Sequence, residues 1–268
     1  MYRIRDWERI LIPYEQAVEE LKVKLKSLRD EFREMNEYSP IEFVTGRVKK
    51  INSILEKAKR NNIDEDDIED QMEDIAGIRI MCQFVDDIYS VVELLRTRDG
   101  KDLMIEKEKD YVNNEKDSGY RSYHVIIRYP VQTAFGEKEI LAEIQIRTLA
   151  MNFWATIEHS LKYKYKREIP DDIRKRLMRA SEAAFLLDRE MCEIRNEVIN
   201  AQILFEEKSN TISNIVSNIR LLNLLGQQTE AMKFQMEFDE LWEKGSLDEL
   251  EDLLKKIKVN IARYQVFD

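Results

Sequence analysis

The sequence predicts a mixed α+β (α/β) protein, with helices towards both ends and a sheet confined to about residues 75–147. Three observations carry this. Apolar residues recur at three- and four-residue steps before residue 62 and after residue 149, the period of helices packed by one face. Between those regions the period drops to two, in Ile78–Phe84 and again in Glu139–Arg147. Seven Gly and four Pro in 268 residues are too few for a sandwich of many tight turns.

Residues 6–35 read as a helix through Ala17, Val18, Leu21, Leu25, Leu28 and Phe32. Ser39-Pro40 stops it, because a residue before proline is driven out of the helical region. A second helix is expected over 47–61, with Val48, Ile51, Leu55 and Ala58 as its apolar stripe. The acidic run Asp64–Asp74 holds eight carboxylates in eleven residues and reads mostly as a solvated segment. A strand follows over 78–84, then a helix over 87–97 capped by Asp86, a strand over 103–112 and a polar loop at 113–119. Strands near 121–129 and 138–147 are joined by a turn around Gly136. Helices are expected over 149–166, 171–207, 211–225, 229–243 and 247–264, the last three punctuated by Gly226 and Gly245. The chain is thus divided into residues 1–207 and a helical extension, 208–268, suited to assembly or partner binding.

The bulk numbers narrow the classes. Hydrophobic content of 43% and charged content of 36% describe a helix-rich globular chain. With a net charge of −10 no global field attracts nucleic acid, so any polyanion site is local. Cys82 and Cys192 lack metal-ligand spacing and read as free thiols in a reducing cytoplasm. Charges within the first six residues and the lack of a long apolar run argue against a signal peptide and a membrane span.

Four stretches carry chemistry. In the last strand Ile140, Ala142, Ile144 and Ile146 share one face. The other face collects Glu139, Glu143, Gln145 and Arg147, with Leu141 its one apolar member. A carboxylate, an amide and a guanidinium in a row suit a polar ligand or a metal, although a solvated sheet face has the same pattern. The second helix opposes its apolar stripe with Lys49, Lys50, Lys57 and Arg60, with Arg47 at its start, an array suited to phosphates or to solvent. Asp74-Ile75-Ala76-Gly77-Ile78-Arg79 puts a carboxylate at a strand entrance, where Mg²⁺ can be held against phosphates, and a glycine where a ligand can approach. Lys116 to His124 mixes Gly119 with Tyr120, Arg121, Ser122 and Tyr123, groups that stack on bases and read their edges.

Absences help. Neither G-x-x-x-x-G-K-[ST] nor G-x-G-x-x-G occurs, so the P-loop and Rossmann solutions to phosphate binding are missing. Having only His124 and His159, and no His-Asp dipeptide, argues against a His-rich metallohydrolase. Carboxylates on strands, a basic helix and a tyrosine-bearing loop fit metal-assisted phosphoryl or pyrophosphoryl transfer between nucleotides.

Arg47-Val48-Lys49, Asp74–Arg79, Gly119–His124 and Glu143–Thr148 resemble, in order and spacing, the synthetase domain of the RelA/SpoT family over roughly residues 10–200. The stretch Ser39–Gly46 is most similar to the small alarmone synthetases of RelQ type. The resemblance implies a nucleotidyltransferase-like mixed sheet of about five strands. It also implies transfer of the β,γ-pyrophosphate of ATP to the 3′-hydroxyl of GTP or GDP, with Mg²⁺ and without hydrolase activity. Carried across, Arg47 and Arg79 sandwich adenine, Lys49, Lys57 and Arg60 hold ATP phosphates, and Asp74 binds Mg²⁺. Tyr120 stacks on guanine, with Lys116, His124, Gln145 and Asn152 around the acceptor, and Glu143 binds Mg²⁺ and activates the 3′-hydroxyl. The resemblance further implies a homotetramer with a pppGpp-binding allosteric site involving Lys22, Lys26, Arg29, Phe43 and Thr45, and binding of single-stranded RNA. An RNA- or nucleotide-binding regulator that retains the pocket is the competing expectation.

Overall fold

The computed structural model describes residues 7–164, 170–242 and 244–265. It forms two compact units, Met1–Cys192 and Glu193–Asp268.

In the first unit, α1 (Trp7–Glu34) buries Tyr14, Ala17, Val18, Leu21 and Leu25, the stripe its spacing demands. It ends sooner than Ser39-Pro40. Asn36 takes a left-handed φ of 54°, and Glu37 N–H returns to the Phe32 carbonyl at 2.8 Å, closing the last turn. β1 (Phe43–Val48) then precedes α2 (Ile51–Asn61). The expected helix over 47–61 therefore starts too early: Arg47 and Val48 belong to a strand, and the sheet reaches well before residue 75. The acidic run folds as a short 3₁₀ turn, Glu65–Asp67, and α3 (Ile68–Gln71). It is not wholly solvated, since Ile68 and Met72 are buried.

β2 (Ala76–Cys82), α4 (Val85–Arg96), β3 (Met104–Asp110), β4 (Tyr123–Thr133) and β5 (Gly136–Thr148) complete the sheet. At the start of α4 it is Asp87, not Asp86, whose carboxylate accepts the Phe84 N–H at 3.0 Å. Strand order is β1-β2-β5-β4-β3. Only β2 and β5 run parallel; the other neighbours are antiparallel. The five strands match the expected number. Ala76, Ile78, Ile80 and Cys82 of β2 and Ile140, Ala142, Ile144 and Ile146 of β5 join α1 and α4 in one apolar core. Gly46 sits where α1 crosses β1: a Cβ there would lie 2.8 Å from Val18 and 2.9 Å from Ile78. Cys82, buried here, has its thiol pushed well above the usual range by burial, and both cysteines are free.

α5 (Leu149–Lys164) leads towards α6 (Asp171–Leu224). The end expected for α5 at 166 lies outside the described residues. α6 is one helix of 54 residues, which corrects the two separate helices expected over 171–207 and 211–225. No Gly or Pro interrupts that stretch, so the polar residues near 208–210 are helix surface and not a break. In the second unit Ile215, Ile219 and Leu222 pack with Ala231, Phe234 and Phe238 of α7 (Gln228–Leu241) and with Leu250, Leu253, Leu254, Ile257 and Ile261 of α8 (Leu247–Gln265). No helix among the described residues is long and apolar enough to cross a membrane.

Candidate active site

The face of the sheet turned away from α1 carries the polar alternates. Register places Thr45, Arg79, Gln145, His124 and Lys109 in one row across all five strands. Arg47, Gly77 and Glu143 form the next row. A cleft opens over the β1-β2-β5 part of this face, lined by Thr45, Gly46, Arg47, Lys49, Asp74, Gly77, Ile78, Arg79, Glu143 and Gln145.

At one end, Asp74 enters β2 beside the start of α2. Its Oδ2 accepts a hydrogen bond from Lys49 Nζ at 2.7 Å and forms an ion pair with Lys57 Nζ at 2.9 Å. Oδ1 of the same carboxylate is buried and has no hydrogen-bond partner. A buried lone oxygen beside two lysines fits a divalent cation carried in on a phosphate chain. No cluster of three or more His, Cys, Asp or Glu able to hold a metal exists among the described residues, so the phosphates would supply the remaining ligands. Gly77 lies on the cleft floor, and a Cβ there would meet nothing closer than the Arg47 carbonyl at 3.7 Å. Arg79 donates to Gln145 Oε1 at 3.3 Å, and burial, then Arg147 and Arg47, lower its pKa.

At the other end Glu143 accepts from both sides: His124 Nδ1 lies 2.9 Å from Oε1, and Gln145 Nε2 donates to Oε2 at 2.6 Å. Burial pushes the Glu143 carboxyl up, but the hydrogen bond and field of His124, the Gln145 amide and Lys57 outweigh it and hold the pKa at about 2. Glu143 is therefore a carboxylate at neutral pH. Tyr120 Oη is 2.8 Å from His124 Nε2, and its pKa is raised chiefly by burial. The Lys116 ammonium lies 4.3 Å from the Tyr111 ring and 4.9 Å from the Tyr120 ring, and burial lowers its pKa. The loop bearing Tyr120 is tied to α6 by Ser181 Oγ, which donates to the Gly119 carbonyl. Gly119 has φ 83°, and a Cβ there would lie 2.9 Å from Ser181.

Most of the residues singled out in the sequence converge here: Arg47, Lys49, Lys57, Asp74, Arg79, Glu143 and Gln145 around the cleft, with Lys116, Tyr120 and His124 beside Glu143. Asn152 stands in the first turn of α5, its Oδ1 buried and without a partner. Arg60 is exposed in the last turn of α2. The five residues of the expected allosteric site are not gathered on one face of the chain. Phe43 and Thr45 are exposed on the cleft side of β1, while Lys22 reaches Gly46 from α1, on the opposite side. Lys22 pairs with Glu19 and Arg29 with Asp30 on the surface of α1, which also carries Lys26.

Arg147 and Tyr111 received no role from the sequence. Arg147 is 4% exposed and donates from Nη2 to Tyr120 Oη at 2.5 Å and to Gln145 Oε1 at 2.6 Å. Its place in the polar alternation was the available signal; its partner Tyr120, 27 residues back, was not.

Residues 46–168 match the model for the region found in RelA / SpoT proteins. GTP pyrophosphokinase YjbM of Bacillus subtilis is 60% identical over 204 residues, which is 76% of this chain and 95% of that protein. The chain belongs to the RelA/SpoT family. Among solved structures, small alarmone synthetase 1 from Bacillus subtilis bound to its product pppGpp superposes with a TM-score of 0.69 at 61% identity, over 72% of this chain and 97% of that one. The same synthetase bound to AMPCPP gives 0.63 at 58% identity, over 72% and 98%. The mixed five-stranded sheet flanked by helices is the fold these RelA/SpoT structures share with the chain.

Proposed function

We propose that this chain is a GTP/GDP pyrophosphokinase, transferring the β,γ-pyrophosphate of ATP to the 3′-hydroxyl of GTP or GDP to make (p)ppGpp. The observation that carries the reading is the pairing of two differently furnished carboxylates on one cleft. Asp74 is wrapped by lysines and keeps an orphan oxygen, while Glu143 sits among acceptor-side groups. Similarity to proteins named GTP pyrophosphokinase, and to a structure holding pppGpp, supports it.

In this reading Arg47 and Arg79 grip the adenine, and Lys49, Lys57 and Arg60 neutralise the phosphates. Tyr120 stacks on guanine, and Lys116, His124, Gln145 and Asn152 orient the acceptor. Glu143 takes the 3′-hydroxyl proton as that oxygen bonds to the β-phosphorus, the bond from the α-phosphate oxygen breaks, and AMP leaves. Asp74 and Glu143 would hold Mg²⁺, which supplies charge neutralisation on the phosphates.

The finer picture is a cytoplasmic enzyme, with a synthetase domain over 1–207 and an extension over 208–268. Copies assemble into a homotetramer, supported by the exposed apolar side chains Leu187 and Met191 on α6. pppGpp acts as allosteric ligand at a site to which Lys22, Lys26 and Arg29 of one copy and Phe43 and Thr45 of another would contribute, since the two groups lie on opposite sides of one chain, and single-stranded RNA is a second partner. The test incubates the protein with γ-labelled ATP, GTP or GDP and Mg²⁺. Label in a guanosine 3′-pyrophosphate with release of AMP is expected. No transfer, with or without pppGpp, would overturn the enzyme and favour a nucleotide- or RNA-binding regulator.

A further inference from the structure

Tyr120 reaches towards the sheet, to His124 and Arg147, but both of its chain neighbours are fastened to α6. The Gly119 carbonyl accepts the Ser181 hydroxyl. Arg121 lies over Phe185, one turn further along α6, with its guanidinium carbon 4.0 Å from the ring centroid. The same guanidinium donates from Nη1 to the Val112 carbonyl at 2.6 Å, near the start of the loop. Its Nη2 stands 3.3 Å from Glu115 in the loop and 3.7 Å from Glu182 on α6. One side chain therefore ties both ends of the loop to one turn of helix. Further contacts extend along α6 on either side of this turn. Trp154 Nε1 of α5 donates to the Leu177 carbonyl at 2.8 Å, and Thr148 donates to Asp188.

Arg121 is a poor choice for packing alone. It is 8% exposed, and its Nε is buried with no hydrogen-bond partner. A buried guanidinium with an unmet donor is less stable than an apolar side chain of similar volume in the same place. Such a breach of the packing rules is expected where a position serves function. We propose that Arg121, with Ser181 as a second pin, is a positioning residue that fixes the Tyr120 ring as the stacking platform for the acceptor base, so that guanine-nucleotide affinity is set from α6. The inference rests on the pyrophosphokinase reading, in which Tyr120 stacks on guanine. A ring whose two neighbours are pinned loses its freedom on folding and not on binding, which favours the bound state. The lysines around Asp74, at the other end of the cleft, share none of these contacts.

Calorimetric titration of the full chain with GDP and, separately, with the ATP analogue AMPCPP reads the two ends of the site apart. Arg121→Met keeps a long side chain and removes the guanidinium. Its GDP affinity should fall about 10-fold, inside the roughly 5- to 150-fold that one stacking ring is worth, while AMPCPP binds as in the wild type. In a Tyr120→Ala background, adding Arg121→Met should lower GDP affinity no further, because a positioning residue has no effect once the group it positions is gone. Arg121→Lys keeps a cation beside Phe185 and should recover part of the loss. Ser181→Ala removes a single hydroxyl and should weaken GDP about 2- to 5-fold, again without touching AMPCPP. If Arg121→Met does not fold, Ser181→Ala decides.

Wild-type GDP affinity in the deciding variant would overturn the proposal. So would an equal loss of AMPCPP binding, which marks general loosening, or a full second loss on top of Tyr120→Ala. A wild type that binds no GDP overturns it as well. A wild type that binds GDP but transfers no pyrophosphate is a separate result: it removes the proposed reaction and leaves the pinned platform standing.

Discussion

The Asp188 carboxylate on α6 accepts the Thr148 hydroxyl at 2.6 Å, while the same hydroxyl oxygen accepts the Met151 N–H at 3.1 Å and caps α5. Asp188 is 5% exposed, and burial raises its pKa to about 6 despite the Thr148 hydrogen bond. A carboxyl with a raised folded pKa holds its proton more tightly folded than unfolded. Its contribution is fully present below about pH 4 and is lost as pH rises through about 6, by roughly 3 kcal/mol. Asp188→Asn keeps an acceptor for Thr148 without a charge. Urea unfolding should show the variant more stable than wild type at pH 8 and not at pH 4; equal stability at both would contradict the buried charge.

Gly77 and Gly46 separate space kept for a ligand from space kept for packing. A Cβ at Gly77 has room in the protein but stands on the cleft floor, so Gly77→Ala should leave the unfolding midpoint intact and weaken binding of an ATP analogue. Gly46→Ala drives a methyl into Val18 and Ile78 and should cost about 1–3 kcal/mol of stability. Calorimetric titration and denaturation of both variants check the contrast.

Tyr120 and Glu143 predict different kinetic losses. Tyr120→Ala should raise the KM for GDP or GTP, with about 1–3 kcal/mol of stacking removed. Glu143→Gln should lower kcat by on the order of 100- to 10,000-fold while nucleotide binding persists. A Glu143→Gln enzyme of full activity would remove that residue from its role as base.

Leu250 lies fully buried in the second unit's core. Leu250→Ala should destabilise that unit by about 2–5 kcal/mol, since it opens a cavity in the apolar cluster it shares with Ile215, Phe234 and Ile257. Hydrogen exchange resolved along the chain should show the loss of protection concentrated in residues 211–264.

The part of the site legible in the sequence is the part written in a period of two. Glu143, Gln145 and Arg147 declare a common face because β5 is long and its opposite face is uniformly apolar. β1 was not legible. It is an edge strand of six residues with glycine inside, and Phe43, Thr45 and Arg47 are exposed, so no buried alternation marks both faces. Val48 also stands three residues before Ile51, which extends the helical period backwards into the strand. The contact of Arg147 with Tyr120 escaped for another reason: the two sit on β5 and on the loop before β4, and only the strand register brings them together.

Lys49 and Lys57 share one oxygen of Asp74, so the resting cleft carries its own counter-ion. Two ammonium groups that would repel one another are held side by side by a carboxylate until a polyanion takes them over. In the proposed pyrophosphokinase, binding at this end would be an exchange of partners: the lysines would leave Asp74 for phosphate, and Asp74 would need a cation in the same event. Nucleotide or divalent ion offered singly would strand one charge in a half-buried place. On that reading the cleft would recognise the neutralised pair, and its selectivity at this end would lie in the balance of the swap more than in the strength of any one contact.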